Sequence, residues 1–296
     1  MLAASDIPDE YQLRNLLDNG PLLATPKWDG IRVLTGEGHV VSRSLKPIRN
    51  HYVRDTISTL SRGLGLDGEA VCLDNKGKLL AFNPTQSAIM SLSGRPAFRY
   101  FVFDAWQIQD DYQGRVGYLY RMLTANGPFH EIVLPEWVFD YESLMRLNAL
   151  HLSQGYEGTC VRPRTSPYKH GRSTMFQGWL LKLKPFVDEE ATVVGYTNLE
   201  VNENPQETNA LGLQERSSRM EGKRLDMSRL GALLCYNEKW GEFYVGTGFT
   251  DLQRCNPDQY VGHIITFKYQ ANHSKDKPHA ATFKCVRDAD DLPIDE

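Results

Sequence analysis

The sequence predicts an α+β domain followed by a small all-β barrel of the OB type. Three observations lead there. The chain has 296 residues, more than one core usually holds. Up to about Phe186, strand-like and helix-like segments are mixed. After Pro185, short strand candidates follow one another, divided by Gly, Asn and Pro. The expected boundaries are residues 1–186 and 187–296, with an insertion in the second domain at about 200–229.

In the first domain, Ile31 to Thr35 reads as a strand leaving a turn at Asp29-Gly30. Phe98 to Trp106 is aromatic and β-branched and reads as a buried strand. Glu142 to Gln154 carries Leu144, Met145, Leu147, Leu150 and Leu152 near helical spacing, and Gly155 ends it. Thr159 to Arg162 and Trp179 to Lys184 read as extended. In the second domain the strands are Ala191–Tyr196, Leu230–Tyr236, Glu242–Gly246, Ile264–Tyr269 and Ala281–Arg287. The stretch from Glu200 to Arg229 is polar with almost no apolar periodicity, and a structureless loop of that length is usually functional or disordered.

The formal net charge is −4, from 33 Lys+Arg and 37 Asp+Glu. A nucleic-acid partner would then require positive charge gathered on one face. The five cysteines are scattered without CxxC spacing, so neither a disulfide framework nor a zinc site is expected, and a cytoplasmic setting is. No signal peptide and no membrane-spanning run is read, so no membrane partner is expected.

The strongest local signal is Lys27-Trp28-Asp29-Gly30-Ile31-Arg32. The turn would hold Lys27 and Arg32 near one another at a strand edge. A lysine attacks phosphorus only as the neutral amine, a form favoured by burial or by nearby cations. Taken alone, these six residues describe a solvated turn. Asp67-Gly68-Glu69 places carboxylates on a strand, able to accept a ribose hydroxyl or hold a metal. Phe103, beside Asp104, can stack on a purine or simply fill the core. Glu157-Gly158 offers another metal ligand beyond the helix. Lys182 and Lys184 lie two apart and face one side of a strand, which an anion between them would relieve.

In this order the motifs KxDGxR, DGE, aromatic-Asp, EG and KxK resemble those of the covalent nucleotidyltransferase superfamily: DNA ligases, RNA ligases and mRNA capping enzymes. Leu23–Lys27, Ser42-Arg43, Lys46–Asn50, Tyr168-Lys169, Gly171–Thr174, Gly246–Phe249 and Phe267–Tyr269 narrow the resemblance to minimal, two-domain ATP-dependent DNA ligases. It runs over nearly the whole chain. It implies an ATP-grasp-like adenylation domain before the OB domain. The implied reaction has three steps: Lys27 takes AMP from ATP, AMP moves to the 5′-phosphate of a nick, and the 3′-hydroxyl displaces it. Each is phosphoryl transfer, in which positioning and charge neutralisation carry catalysis.

The resemblance also implies roles. Thr25, Pro26, Lys27, Arg32, Glu69, Phe103, Lys182, Lys184 and Arg287 would bind ATP or AMP, with Glu69 at the ribose and Phe103 on adenine. Asp29, Glu69 and Glu157 would hold Mg2+, with Mn2+ an alternative, and Asp29 would also meet the 3′ end. Arg32, Arg43, Lys46, Arg49, Arg172, Arg216, Arg219, Lys223 and Arg224 would contact nicked duplex DNA. A monomer is expected. From Arg216 to Arg229, five basic residues against Glu221 and Asp226 give a local charge of +3, and the segment resembles a latch that closes on DNA. It is expected to be mobile in the free protein and to order on DNA.

One motif departs from the pattern. Near the C-terminus Arg287 matches the family's second arginine, but His279 stands where the first is usual, and a neutral imidazole cannot replace a permanent guanidinium charge. Lys275, Lys277 and Lys284 are the candidates to compensate. The rival readings are an RNA ligase or capping guanylyltransferase, and a nucleic-acid-binding OB protein with an inactive first domain. The latch-like segment and Lys46–Asn50 favour DNA, and the complete set of Lys27, Glu69, Glu157, Lys182 and Lys184 argues for an enzyme.

Overall fold

A computed structural model describes residues 1–61, 64–123, 127–208, 212, 214–270 and 276–287. The chain divides into two compact units, Met1–Lys184 and Pro185–Glu296.

The first unit runs α1 (Glu10–Asp18), β1 (Leu22–Lys27), β2 (Ile31–Gly36), β3 (His39–Ser42), α2 (His51–Ser61), β4 (Leu66–Cys72), α3 (Phe82–Met90), β5 (Phe98–Ala105), α4 (Tyr112–Met122), β6 (His130–Ile132), β7 (Glu136–Val138), α5 (Tyr141–Ser153), β8 (Gly158–Pro163) and β9 (Leu181–Leu183). The strands form two sheets, ordered β7-β1-β8-β9 and β3-β2-β4-β5-β6. Leu13 and Leu17 of α1 and Leu144 of α5 pack on the first sheet through Leu22, Ala24, Val161, Leu181 and Leu183. Val53 and Ile57 of α2, Ile89 of α3 and Leu119 of α4 join Ile31, Val33, Leu66, Tyr100 and Val102 of the second. Each such aliphatic side chain taken fully from water contributes about 1.5–3 kcal/mol. The expected helix is α5: Asp140 caps it, accepting from the Ser143 amide at 2.7 Å, and Gly155 follows in the left-handed region at φ 88°.

The second unit holds β10 (Val187–Asn202), β11 (Gln206–Thr208), β12 (Gln214–Arg216), β13 (Lys223–Asn237), β14 (Gly241–Val245), β15 (Ile264–Gln270) and β16 (His279–Val286). Five strands make an antiparallel sheet, β14-β13-β10-β15-β16. Its two edges meet where Thr247 bridges Thr282 and its carbonyl accepts from the Phe283 amide at 2.9 Å, so the sheet curls into a barrel. Val193, Leu233, Cys235, Phe243, Ile265 and Phe267 fill it.

The described residues of the polar stretch include strands that their composition does not signal. β10 and β13 run on as a ribbon past the barrel, pairing Leu199 with Asp226 and Asn202 with Lys223. β11 and β12 form a separate hairpin above them. Apolar alternation reports burial on one face, whereas a ladder needs only backbone donors and acceptors, so a solvated ribbon leaves no such signature.

Candidate active site

Lys27 ends β1 opposite Gly158, the first residue of β8, and its carbonyl accepts from the Glu157 amide at 2.9 Å. This register lays the buried Glu157 carboxylate against the Lys27 ammonium. The second oxygen of that carboxylate pairs with Lys184, just past β9. Gly158 is required here: its φ is 147°, and a Cβ would lie 1.9 Å from the Leu183 carbonyl oxygen. Adjacency of Glu157 and Gly158 thus carries both a charge and a close strand crossing.

Asp29-Gly30 does more than reverse the chain. β1 belongs to one sheet and β2 to the other, so these residues carry the backbone between them. A Cβ on Gly30 would stand 2.5 Å from the Ala70 carbonyl oxygen. Asp29 accepts from the Phe82 amide at 3.2 Å. Trp28 is buried between the sheets, stacked on Phe101 at 4.7 Å with Tyr156 edge-on.

On the second sheet Arg32 faces Glu69 across the β2–β4 ladder. Two of the Arg32 nitrogens bond to Asp67, whose carboxylate also accepts from Tyr168 Oη at 2.7 Å. Burial alone would raise the Asp67 carboxyl, but the Arg32 guanidinium and the Tyr168 hydroxyl hold it below the ordinary range. Glu69 goes the other way: burial pushes it up to about 7 although Lys27 and Arg32 oppose the shift. The Arg32 guanidinium lies 5.6 Å from the Phe103 ring centroid. Behind Phe103, buried Asp104 binds Arg115 at 2.6 and 3.2 Å and Arg162 at 2.7 Å.

Lys27, Trp28, Arg32, Glu69, Phe103, Arg162 and Lys184 line a cavity of about 260 Å³ within the first unit, whereas Asp29 and Glu157 stand outside its wall. Of the expected residues it includes Thr25, Pro26, Lys27, Arg32, Arg43, Glu69, Phe103, Arg172, Lys182 and Lys184. Lys182 and Lys184 do share this cavity, but each has its own counter-group, since Lys182 donates to the Ser5 carbonyl at 2.8 Å. Burial, then Lys27, brings Lys184 down to about 8; burial, Arg172 and Lys27 lower Lys182. Among the described residues no three of His, Cys, Asp and Glu form a metal cage, so Asp29, Glu69 and Glu157 do not converge as one. An ion near them would have to take most of its ligands from phosphate and water.

Sequence reasoning missed Leu2, Ala3, Trp28, Cys160, Arg162 and Leu180 in the cavity wall. Strand alternation was the available signal for two of them, since Cys160 and Arg162 lie two apart on β8. Leu2 and Ala3 had none: they reach the wall through Leu2 pairing with Arg172 and the Ala3 carbonyl accepting from the Arg172 guanidinium at 2.7 Å.

The remaining expected residues lie elsewhere. Lys46 and Arg49 are exposed between β3 and α2. Arg216, Arg219, Lys223 and Arg224 belong to the ribbon and hairpin of the second unit. There Lys223 pairs with Glu200 at 2.6 Å and Arg224 with Glu203 at 2.8 Å, which offsets part of the +3 of the basic stretch. Arg287 pairs with Glu190 at 2.6 Å. His279 opens β16. Lys277 donates to the Trp240 carbonyl at 3.1 Å and Lys284 pairs with Asp188 at 2.6 Å, while Lys275 lies outside the described residues.

A half-buried strand-end lysine, a two-sheet cleft lined with lysines and arginines, and a following OB barrel are the arrangement of a covalent nucleotidyltransferase. The family model for the ATP-dependent DNA ligase domain matches residues 1–184, and that for the DNA ligase OB-like domain matches residues 221–287. The chain belongs to the ATP-dependent DNA ligase family. Haemophilus influenzae DNA ligase is 26% identical over 257 residues, 86% of this chain and 80% of that protein. The structure of Chlorella virus DNA ligase-adenylate is 28% identical, with a TM-score of 0.53 over 97% of this chain and 98% of that one. A Lig E DNA ligase shares the fold at 21% identity, with a TM-score of 0.69 over 97% of this chain and 99% of that one.

Proposed function

We propose that the chain seals 3′-hydroxyl/5′-phosphate nicks in duplex DNA, with Lys27 as the residue that takes AMP from ATP. The observation that carries the assignment is that Lys27 and Lys184, both lining a basic cavity, share the buried Glu157 carboxylate behind its wall. Once Lys27 Nζ has given a proton to the Glu157 carboxylate it faces, the neutral amine attacks the α-phosphorus, a P–N bond forms, the bond to the bridging oxygen breaks with its electron pair, and pyrophosphate leaves. Lys182 and Lys184 neutralise the charge that accumulates on the α-phosphate. Phe103 offers its ring to adenine, Glu69 a carboxylate to the ribose, and Thr25 and Pro26 line the cavity beside them. Glu157, with Glu69 and Asp29, would hold Mg2+, which when bound neutralises phosphate charge.

Arg32, Arg43, Arg172, Lys46 and Arg49 take the nicked strand's phosphates, a task suited to the guanidinium fork. Arg287 serves the pyrophosphate end of ATP in the first step. The segment around 203–227 acts as a latch on DNA. Its exposed Met220, Leu225 and Met227 interleave with basic side chains, as a groove-contacting surface requires. Action as a monomer is part of this reading. All five cysteines are free thiols, which supports a cytoplasmic setting.

The test is incubation with labelled ATP and Mg2+, then denaturing electrophoresis. Label is expected on the parent and absent from Lys27→Ala. Unlabelled parent after removal of any bound AMP would refute the assignment. Faster sealing of a nicked DNA duplex than of nicked RNA is expected, and the reverse preference would move the chain to the RNA ligases.

A further inference from the structure

The ribbon and hairpin of the second unit are built on one buried side chain. Asn204, two residues past β10, is 7% exposed in a stretch whose neighbours are mostly solvated. Its side-chain amide donates to Asn202 Oδ1 at 2.8 Å, the Ser217 carbonyl at 3.0 Å and the Arg219 carbonyl at 2.8 Å. Its backbone carbonyl accepts from the Arg216 guanidinium. Asn202 repeats the tie, donating to the same Ser217 carbonyl at 2.8 Å. The Glu203 amide donates to the Gly222 carbonyl at 2.6 Å. Gly222 leaves the room Asn204 needs, because a Cβ there would lie 2.1 Å from Asn204 Oδ1.

We propose that Asn204 is the positioning residue of the DNA latch: it holds the segment from Arg216 to Gly222 against β10 before DNA arrives. The proposal rests on the latch reading above and deepens it. Residues 217–219 lie outside any strand or turn, so the Ser217 and Arg219 carbonyls take donors from this amide, while those of Met220 and Gly222 accept from the Lys223 and Glu203 amides. Arg216 is thereby tied to the hairpin, which leaves Arg219, together with Lys223 and Arg224 once they exchange Glu200 and Glu203 for phosphate, as the DNA-facing cations. A segment already ordered loses less conformational freedom on closing around the duplex than a solvated loop with the same charges.

The test compares four full-length proteins: parent, Asn204→Asp, Gly222→Ala and a deletion of residues 203–227. Asn204→Asp keeps size and shape but turns the donor into an acceptor facing two carbonyls. Gly222→Ala displaces the amide from a different position. Tryptic cleavage after Arg216 and Arg219 reads the order of the segment, and binding to a nicked duplex reads its use. Both point variants should be cleaved faster and bind about tenfold more weakly. In Gly222→Ala the slope of log Kd against log salt should stay at the parent value, because every cation remains and no charge is added. Parent-like cleavage or parent-like affinity in both point variants overturns the role of Asn204. If the deletion binds as the parent does, the latch reading itself falls; if only the deletion is impaired, the latch stands without Asn204.

Discussion

At the scale of single residues, the cleft is set by which charges are paired. Glu69 is the instructive case, since burial lifts its carboxyl from 4.5 to about 7. Between those values the folded protein keeps a proton that the unfolded chain has released, so this group lowers stability as pH rises through the window. Glu69→Gln removes the effect. Its stability gain over the parent should be near zero at pH 4.5 and greatest above pH 7.5. The ceiling is about 3 kcal/mol, reduced by the partial solvent contact of the side chain. Chemical denaturation at a series of pH values checks this, and a gain that does not vary with pH would count against a raised carboxyl. Asp104 gives the opposite case. It is the shared counter-ion of Arg115 and Arg162, both buried. Asp104→Ala strands two guanidinium groups and should cost about 3–5 kcal/mol in urea unfolding. A loss below about 1 kcal/mol would show that the backbone carbonyls of Asp110 and Ser166 suffice for Arg115.

At the scale of elements, the site depends on two strand crossings that only glycine permits. Gly158→Ala puts a methyl group into the Leu183 carbonyl and so pushes β9 away from β8. Lys182 and Lys184 flank that point, so lysyl-AMP formation should fall at least about a hundredfold, with stability reduced by about 3 kcal/mol or more. Gel labelling with ATP and a thermal melt check it; retention of near-parent labelling would show that β9 can shift without cost. The crossing explains what could be read in advance. Lys27, Asp29, Glu69 and Glu157 sit in short motifs with fixed spacing, so they stood out as candidates before the two sheets were known. The register that brings Glu157 to Lys27 was not, because 130 residues separate them. β1, with Pro26 near its end, carries no clear alternation and reads poorly as a strand, although its place between β7 and β8 makes it central. The ribbon of β10 and β13 was missed for the opposite reason: it buries too little to leave an apolar period.

At the scale of the whole molecule, a chain with net charge −4 must bind a polyanion through local concentrations of charge. The cleft supplies Arg32, Arg43 and Arg172, and Lys46 and Arg49 stand exposed beside β3. The second unit adds Arg219, Lys223 and Arg224, two of them partly offset by Glu200 and Glu203. Arg32 is committed to Asp67 and pocket arginines near carboxylates release fewer counterions, so about five phosphate contacts is a reasonable count. At about 0.9 per contact, log Kd for a nicked duplex should rise with log salt at a slope of about 4–5. Affinity would then fall by a few hundredfold between about 50 and 200 mM salt. ATP labelling of Lys27 over the same range should change far less, because its ion pairs lie inside the cleft, where screening is weak. Binding titrations at four salt concentrations, run beside the labelling assay, separate the two. A slope near zero would mean that the arginines and lysines assigned to DNA do not meet its backbone. A steep slope in both assays would mean that the cleft is screened as a surface is, and that Glu157 does not shelter Lys27 and Lys184 as their geometry requires.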